Sequence, residues 1–146
     1  KLAAEGVRFT NAFCTTASCS ASRSVLLSGL QNHANGQYGH AHGEHNLRYL
    51  PKIKSTPELL KAAGYRTGVI AKLHVNPLSE FAWDLDATKE GGRDVVRVAA
   101  IARDFIRADP QKPFYLHVGY TDPHRAQRDP GIDRSPPERW PPSGRT

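Results

Sequence analysis

At 146 residues the chain has the length of one modest domain, enough to bury most of its unfolded surface. Its 38% hydrophobic and 23% charged residues are ordinary for a globular protein, and no apolar run approaches the ~18 residues that a membrane span needs. The net charge of +6 suits a polyanionic partner, but the arginines are spread along the chain and no aromatic-and-basic stripe marks a reader of nucleic acid.

In chain order, KLAAEGVRF reads as the tail of a helix. With no methionine anywhere and an ending, SPPERWPPSGRT, that stops in mid-loop, the sequence reads as an internal fragment. Residues 7–13 carry β-branched and aromatic side chains after Gly6 and predict a strand. Residues 22–31 predict a helix, with Val25, Leu26 and Leu27 apolar and Gly29 near its end. The glycine- and histidine-rich HANGQYGHAHGEH has neither helical nor strand period and predicts a loop.

A clear α/β rhythm follows. In STPELLKAAG, Ser55 stands three before Glu58 as in a capping box, Pro57 suits a first turn, and Gly64 ends the helix. YRTGVIA predicts a short strand around Val69 and Ile70. From Arg93 to Ala108, the residues Val95, Val98, Ala99, Ala102, Phe105 and Ile106 fall on one helical face. Asp109-Pro110 closes that helix, and PFYLHVGY predicts another strand. Helix–strand–helix–strand order implies parallel pairing, and therefore an α/β sheet covered by helices.

Polar residues collect just past the predicted strands. Lys72 and His74 follow the strand ending near Ala71; Asp122, His124 and Arg125 follow the one ending near Tyr120; Cys19 follows the one ending near Phe13. This is the sheet edge where open parallel sheets bind ligands. Arg23, Lys72, His74, His124 and Arg125 are all hydrogen-bond donors, and a helix start beside Cys19 adds positive potential, so the set suits an anion. Such surroundings favour the thiolate, which suggests a cysteine nucleophile on an oxyanion, as in a phosphatase. The glycine cradle of such an enzyme is missing between Cys19 and Arg23.

Taken singly, each residue has a plainer reading. Cys19 alone reads as packing, Lys72 as surface, His74 as a satisfied loop histidine and His124 as the brace of a turn begun by Asp122-Pro123. Four histidines at 33, 40, 42 and 45 suggest a metal site, but a glycine-rich loop gives them no fixed geometry. Cys14 reads as core. Cys14 and Cys19 fit neither CxxC redox chemistry nor a zinc pair, and argue against a disulfide framework.

Cys19-Ser20-Ala21-Ser22-Arg23 followed by Leu26-Leu27-Ser28-Gly29 resembles the sulfatase signature. GVIAKLHV resembles that family's second element, a lysine and a histidine two apart after a strand, and FYLHVGYTDPHR its third, an apolar strand running into a loop histidine. All three come in the family's order, across nearly the whole chain. GLQNHANGQYG, AKLHV and DPHR bring it nearest to the heparan N-sulfatase branch.

The resemblance implies part of an alkaline-phosphatase-like α/β domain, a mainly parallel sheet flanked by helices, with residues 1–146 as a piece of an N-terminal catalytic domain truncated at both ends. It implies that a maturation enzyme oxidises Cys19 to Cα-formylglycine. One hydroxyl of the hydrated aldehyde, activated on a calcium ion, attacks sulfur; loss of a proton from the other expels sulfate. By position, Cys19 becomes the nucleophile and a calcium ligand, Arg23 and His74 hold the hydrate, and Lys72 and His124 bind sulfate, with His124 also a proton donor to the leaving group. Arg125 reaches toward the substrate. The substrate would be a sulfated sugar, N-sulfated glucosamine of a heparan-type glycan or else an O-sulfate ester, and the location exported or lysosome-like. Other readings are a phosphonate or phosphate monoesterase of the same superfamily and a non-catalytic module that binds sulfated polyanions. Two departures stand out. Ala21 occupies a position where many members carry proline, and the family's Asp-Asp and Asp-Asn calcium pairs are not in this sequence. The family places these pairs before and after the region covered.

Overall fold

The computed structural model describes residues 2–122 and residue 124. Five α-helical segments are described, α1 (Leu2–Glu5), α2 (Cys19–Ser28), α3 (Asn32–Asn35), α4 (Thr56–Ala62) and α5 (Val95–Arg107). Three strands, β1 (Arg66–Ala71), β2 (Leu85–Ala87) and β3 (Phe114–Gly119), pair in parallel in the order β2-β1-β3.

The central strand explains the arrangement. In β1 every residue from Thr67 to Ala71 is buried, as expected of a strand covered on both faces. Val69 faces one layer, packed with Leu27 of α2 and with Tyr49, Leu73, Val75 and Phe81. Ile70 and Ala71 pack instead with Val98, Ile101 and Ala102 of α5 and with Leu116 and Val118 of β3. Alternation along the strand thus sends Val69 and Ile70 into two cores, with α2 and α5 on opposite faces. Gly68 lets β1 lie close under α5, since a β-carbon there would stand 2.9 Å from Leu116 Cδ1 and 3.1 Å from the Phe105 ring.

Helix ends follow the sequence signals. Gly29 stops α2 at φ 68° and Gly64 follows α4 at φ 89°, both in the left-handed region that suits glycine. The expected capping box forms at α4, where Glu58 Oε2 accepts from Ser55 N–H at 3.4 Å. At α5 the cap is Asp94, whose Oδ1 accepts from Arg97 N–H at 2.9 Å. Asp94→Ala in the full-length protein is expected to cost about 1 kcal/mol of stability, read as a lower denaturant midpoint with unchanged catalysis.

Several expectations are corrected. Residues 7–13 form no strand. Among the described residues no neighbouring strand offers them a ladder, and Val7, Phe9 and Phe13 are 78% or more exposed. Cys14 is likewise exposed, not core. Helix α2 begins three residues earlier than expected, at Cys19 itself. The single turn α3 runs from Asn32 into the start of the glycine- and histidine-rich loop. Strand β2, three residues long, is too short to show a period. On α5 the buried residues are Val98 and Phe105, with Ile101 and Ala102 packed alongside, while Val95 and Ile106 are exposed.

Candidate active site

The site lies where α2 starts beside the carboxyl end of β1. Beyond Val69 and Ile70 the chain turns sharply, with Ala71 at φ 62° and His74 at φ 58°. Two non-glycine residues in the left-handed region within four positions mark a backbone held by its surroundings. The hold is visible at Lys72, whose N–H donates to Gly119 O at 2.9 Å. The turn swings His74 back over α2, so that His74 Nδ1 lies 3.1 Å from Cys19 Sγ.

Helix α2 enters from Ser18, which is extended and makes no side-chain cap, so the first-turn N–H groups stay open toward the site. The histidine loop folds over this end. Ala41 N–H donates to Ser20 Oγ at 3.1 Å, which anchors the loop and brings His40 Nδ1 to 3.9 Å from Cys19 Sγ. His42 Nδ1 lies 2.6 Å from His74 Nε2, with the two rings stacked at 4.7 Å between centroids.

Burial, reinforced by His42, Lys72, His40 and Arg23, lowers the His74 pKa from 6.5 to about 4. His74 is therefore neutral near pH 7. With its proton on Nε2 it donates to His42 and leaves Nδ1 to accept from the group on Cβ of residue 19. The same shift makes a stability prediction. The unfolded chain takes up this proton first as pH falls, so stability is full above about 6.5 and is lost between about 6.5 and about 4. Denaturant midpoints across that window are expected to fall, and less steeply in His74→Asn.

Arg23 lies one helical turn beyond Cys19. Its Nη1 donates to Lys72 O at 2.9 Å and lies 3.3 Å from His117 Nε2 on β3. Burial lowers the Arg23 pKa, opposed by Cys19. Beside this set, residues 71–75 with Leu78 and Thr88 border a cavity of about 420 Å³.

His124 sits on the loop after β3, at the same edge of the sheet. Arg93, just before α5, holds that loop: its Nη1 pairs with the Asp122 carboxylate and its Nη2 donates to His124 O at 2.6 Å. Thr121 N–H adds a bond to Gly92 O at 3.2 Å.

Of the residues singled out in the sequence, the structure puts Cys19 in contact with His74, and one turn along α2 bonds Arg23 to the carbonyl of Lys72. His124 stands on the neighbouring loop, and Arg125 lies outside the described residues. Of the four loop histidines, His40, His42 and His45 gather around one another, with His40 5.1 Å and 6.2 Å from the other two rings. Sequence reasoning missed the roles of His42, Arg93 and His117 in holding this edge. His117 had one available signal, a lone imidazole in the middle of an otherwise apolar and aromatic strand.

The donor set decides which ions fit. Around Cys19 stand imidazoles, a guanidinium and a thiol, whereas calcium takes six or more oxygens. Among the described residues no group of three or more His, Cys, Asp or Glu is arranged to hold a metal. These residues do not by themselves make a calcium site.

The sulfatase family model matches residues 1–143. The chain is 40% identical to human N-sulphoglucosamine sulphohydrolase over 130 residues, 85% of this chain and 26% of that protein. It is 33% identical to the ulvan-active sulfatase of Formosa agariphila over 127 residues, 84% of this chain and 24% of that one. It is 39% identical to the N-acetylgalactosamine-6-O-sulfatase of Bacteroides thetaiotaomicron over 75 residues, 51% of this chain and 15% of that one. The chain thus spans about a quarter or less of these curated relatives. A solved structure in complex with its substrate, D-glucosamine-2-N,6-O-disulfate, superposes with a TM-score of 0.59 at 22% identity, over 81% of this chain and 27% of that one. The α/β fold is thus that of the alkaline-phosphatase-like class, and by the match over residues 1–143 the chain belongs to the sulfatase family.

Proposed function

We propose that residues 1–146 carry the nucleophile-bearing edge of a sulfohydrolase catalytic domain, and that the whole protein removes the N-sulfate of glucosamine in heparan-type glycans. The observation that carries this reading is the convergence of Cys19, His74 and Arg23 at the start of α2. The 40% identity with a sulphohydrolase of N-sulphoglucosamine supports the substrate class.

In this reading a maturation enzyme converts Cys19, and the formylglycine then supplies an oxygen nucleophile in place of the thiol. Calcium, which the family generally uses, requires oxygen ligands beyond the residues described here. His74 takes the proton of the nucleophilic group at Nδ1 and shares its other nitrogen with His42. Arg23 brings positive charge one turn away, where negative charge grows on the group being transferred. Lys72, with His124 from the neighbouring loop and with Arg125, the next residue in sequence, binds sulfate oxygens, and His124 donates a proton to the leaving nitrogen. An exported or lysosome-like location belongs to the same proposal.

Lys72→Ala is expected to lower kcat/KM about a hundredfold, the worth of one donor aimed at developing charge, measured as sulfate release by the full-length enzyme. The relatives named for O-sulfatase activity favour a second reading, hydrolysis of an O-sulfate ester. Purified full-length protein assayed on N-sulfoglucosamine and on an aryl sulfate separates the two. Turnover of the ester alone sinks the N-sulfate reading. A non-catalytic role in binding sulfated polyanions requires only unmodified cysteine in the peptide carrying residue 19 after co-expression with a maturation enzyme, which mass spectrometry reads directly.

A further inference from the structure

We infer that His117 is a positioning residue for this site, fixing the Arg23 guanidinium against the end of β1 by accepting a hydrogen bond from Arg23 Nη1. The inference rests on the proposed reading of Arg23 as the cation facing the transferred group.

His117 lies in the middle of β3, in register with Val69 of β1. Alternation separates it from Leu116 and Val118, which pack with the α5 layer, and turns it toward the face that carries α2. There its Nε2 stands 3.3 Å from Arg23 Nη1. A guanidinium has donors only, so the imidazole nitrogen must be the acceptor, which fixes His117 as the neutral tautomer with its proton on Nδ1. The surroundings favour that form, since burial and the adjacent Arg23 charge both lower the His117 pKa. Trp83, stacked on Tyr115 at 5.9 Å, lies 6.4 Å from the His117 ring between centroids.

The consequence is geometric. Arg23 spans from α2 to the sheet, and a single contact to Lys72 O leaves its planar fork free to swing about that bond. A second acceptor on a different strand removes the swing. The guanidinium is then bound both to the turn after β1 and to the middle of β3, and its remaining N–H groups keep one direction relative to residue 19. A misplacement of about 1 Å at such a group costs on the order of a hundredfold in rate. His117 touches neither substrate nor nucleophile in this account; it acts through Arg23.

The test uses the full-length, matured protein. His117→Leu is expected to lower kcat about ten- to a hundredfold, the range of a hydrogen bond to a charged group, with KM changed less than about threefold. His117→Gln, whose amide oxygen accepts from a guanidinium, is expected to recover most of that loss. In an Arg23→Ala background His117→Leu is expected to add little further loss, whereas an independent effect of the same size in both backgrounds overturns the inference. Nitrogen-15 spectra of the imidazoles supply a readout independent of turnover. His117 is expected as the Nδ1–H tautomer at pH 7, with an Nε2 resonance that shifts in Arg23→Ala; an Nε2–H tautomer overturns the contact outright. Equal kcat in His117→Leu and wild type overturns the positioning role. A wild-type protein that releases no sulfate from either substrate overturns the functional reading and with it the catalytic part of this one, while the tautomer still decides the contact.

Discussion

Cys19→Ala in the full-length protein is expected to abolish sulfate release, a loss on the order of 10⁶ in kcat, as for removal of a covalent nucleophile. Stability is expected to change little, because Cys19 is only partly buried and makes polar contacts to His74 and His40 instead of filling a core. Cys19→Ser is the more informative variant. Serine keeps an oxygen at the same place beside His74, but its carbon bears one hydroxyl and not two. Attack on sulfur remains possible and expulsion of sulfate from the ester does not. A single turnover is therefore expected, with sulfate left on residue 19 and visible as added mass on that peptide. Wild-type turnover rates in Cys19→Ala sink the assignment of residue 19 as the nucleophile. Steady multiple turnover in Cys19→Ser sinks the two-hydroxyl requirement.

Which residues of this edge the sequence placed together, and which it did not, has a physical basis. Lys72 and His74 were legible because strand direction and sequence position suffice to put them at the end of β1, whereas the strand over 7–13 expected to lead to Cys19 does not form, and Cys19 and Arg23 reach this edge through α2. Val69 and Ile70 mark β1, the chain must leave β1 at its carboxyl end, and the Leu27 face of α2 must pack on the sheet. Local periodicity carries all of that. Residues 7–13 were misread because a β-branched and aromatic composition gives a preference for strand, whereas a strand exists only where a neighbour accepts its ladder. The contributions of His42 and His117 were invisible for a different reason. His42 reaches His74 only because Ala41 is tied to Ser20, and His117 meets Arg23 only because β3 pairs with β1 in one register. Such contacts depend on tertiary geometry that no spacing along the chain encodes.

The second large effect is expected at a residue with no side chain. Lys72 O is the point where three parts of the site meet: it accepts from Arg23 Nη1 at 2.9 Å, while its own residue is bonded through N–H to Gly119 O at 2.9 Å and leads two residues on to His74. Gly119, paired with Ala71 in the β1–β3 ladder, allows that approach. A β-carbon at Gly119 would overlap the Lys72 carbonyl oxygen and stand 2.7 Å from its carbonyl carbon and 3.0 Å from its nitrogen. All three are backbone atoms, so no side chain can swing aside, and relief must come from parting the two strands or moving the Lys72 turn. Gly119→Ala is therefore expected to destabilise by more than the ~1–3 kcal/mol of ordinary overpacking. Protein that still folds is expected to lose about a hundredfold in kcat, because Arg23 and His74 are placed through the moved segment. Gly29→Ala is the comparison. Nothing lies within 4 Å of a β-carbon there, but φ is 68°, so the cost is about 1 kcal/mol of left-handed strain and falls at the far end of α2 from Cys19. Thermal melting and single-turnover rates measured on both variants separate the two causes. Equal losses of activity in the two would show that general destabilisation, and not the Lys72 carbonyl, sets the rate; wild-type stability in Gly119→Ala would show that the two strands part without cost.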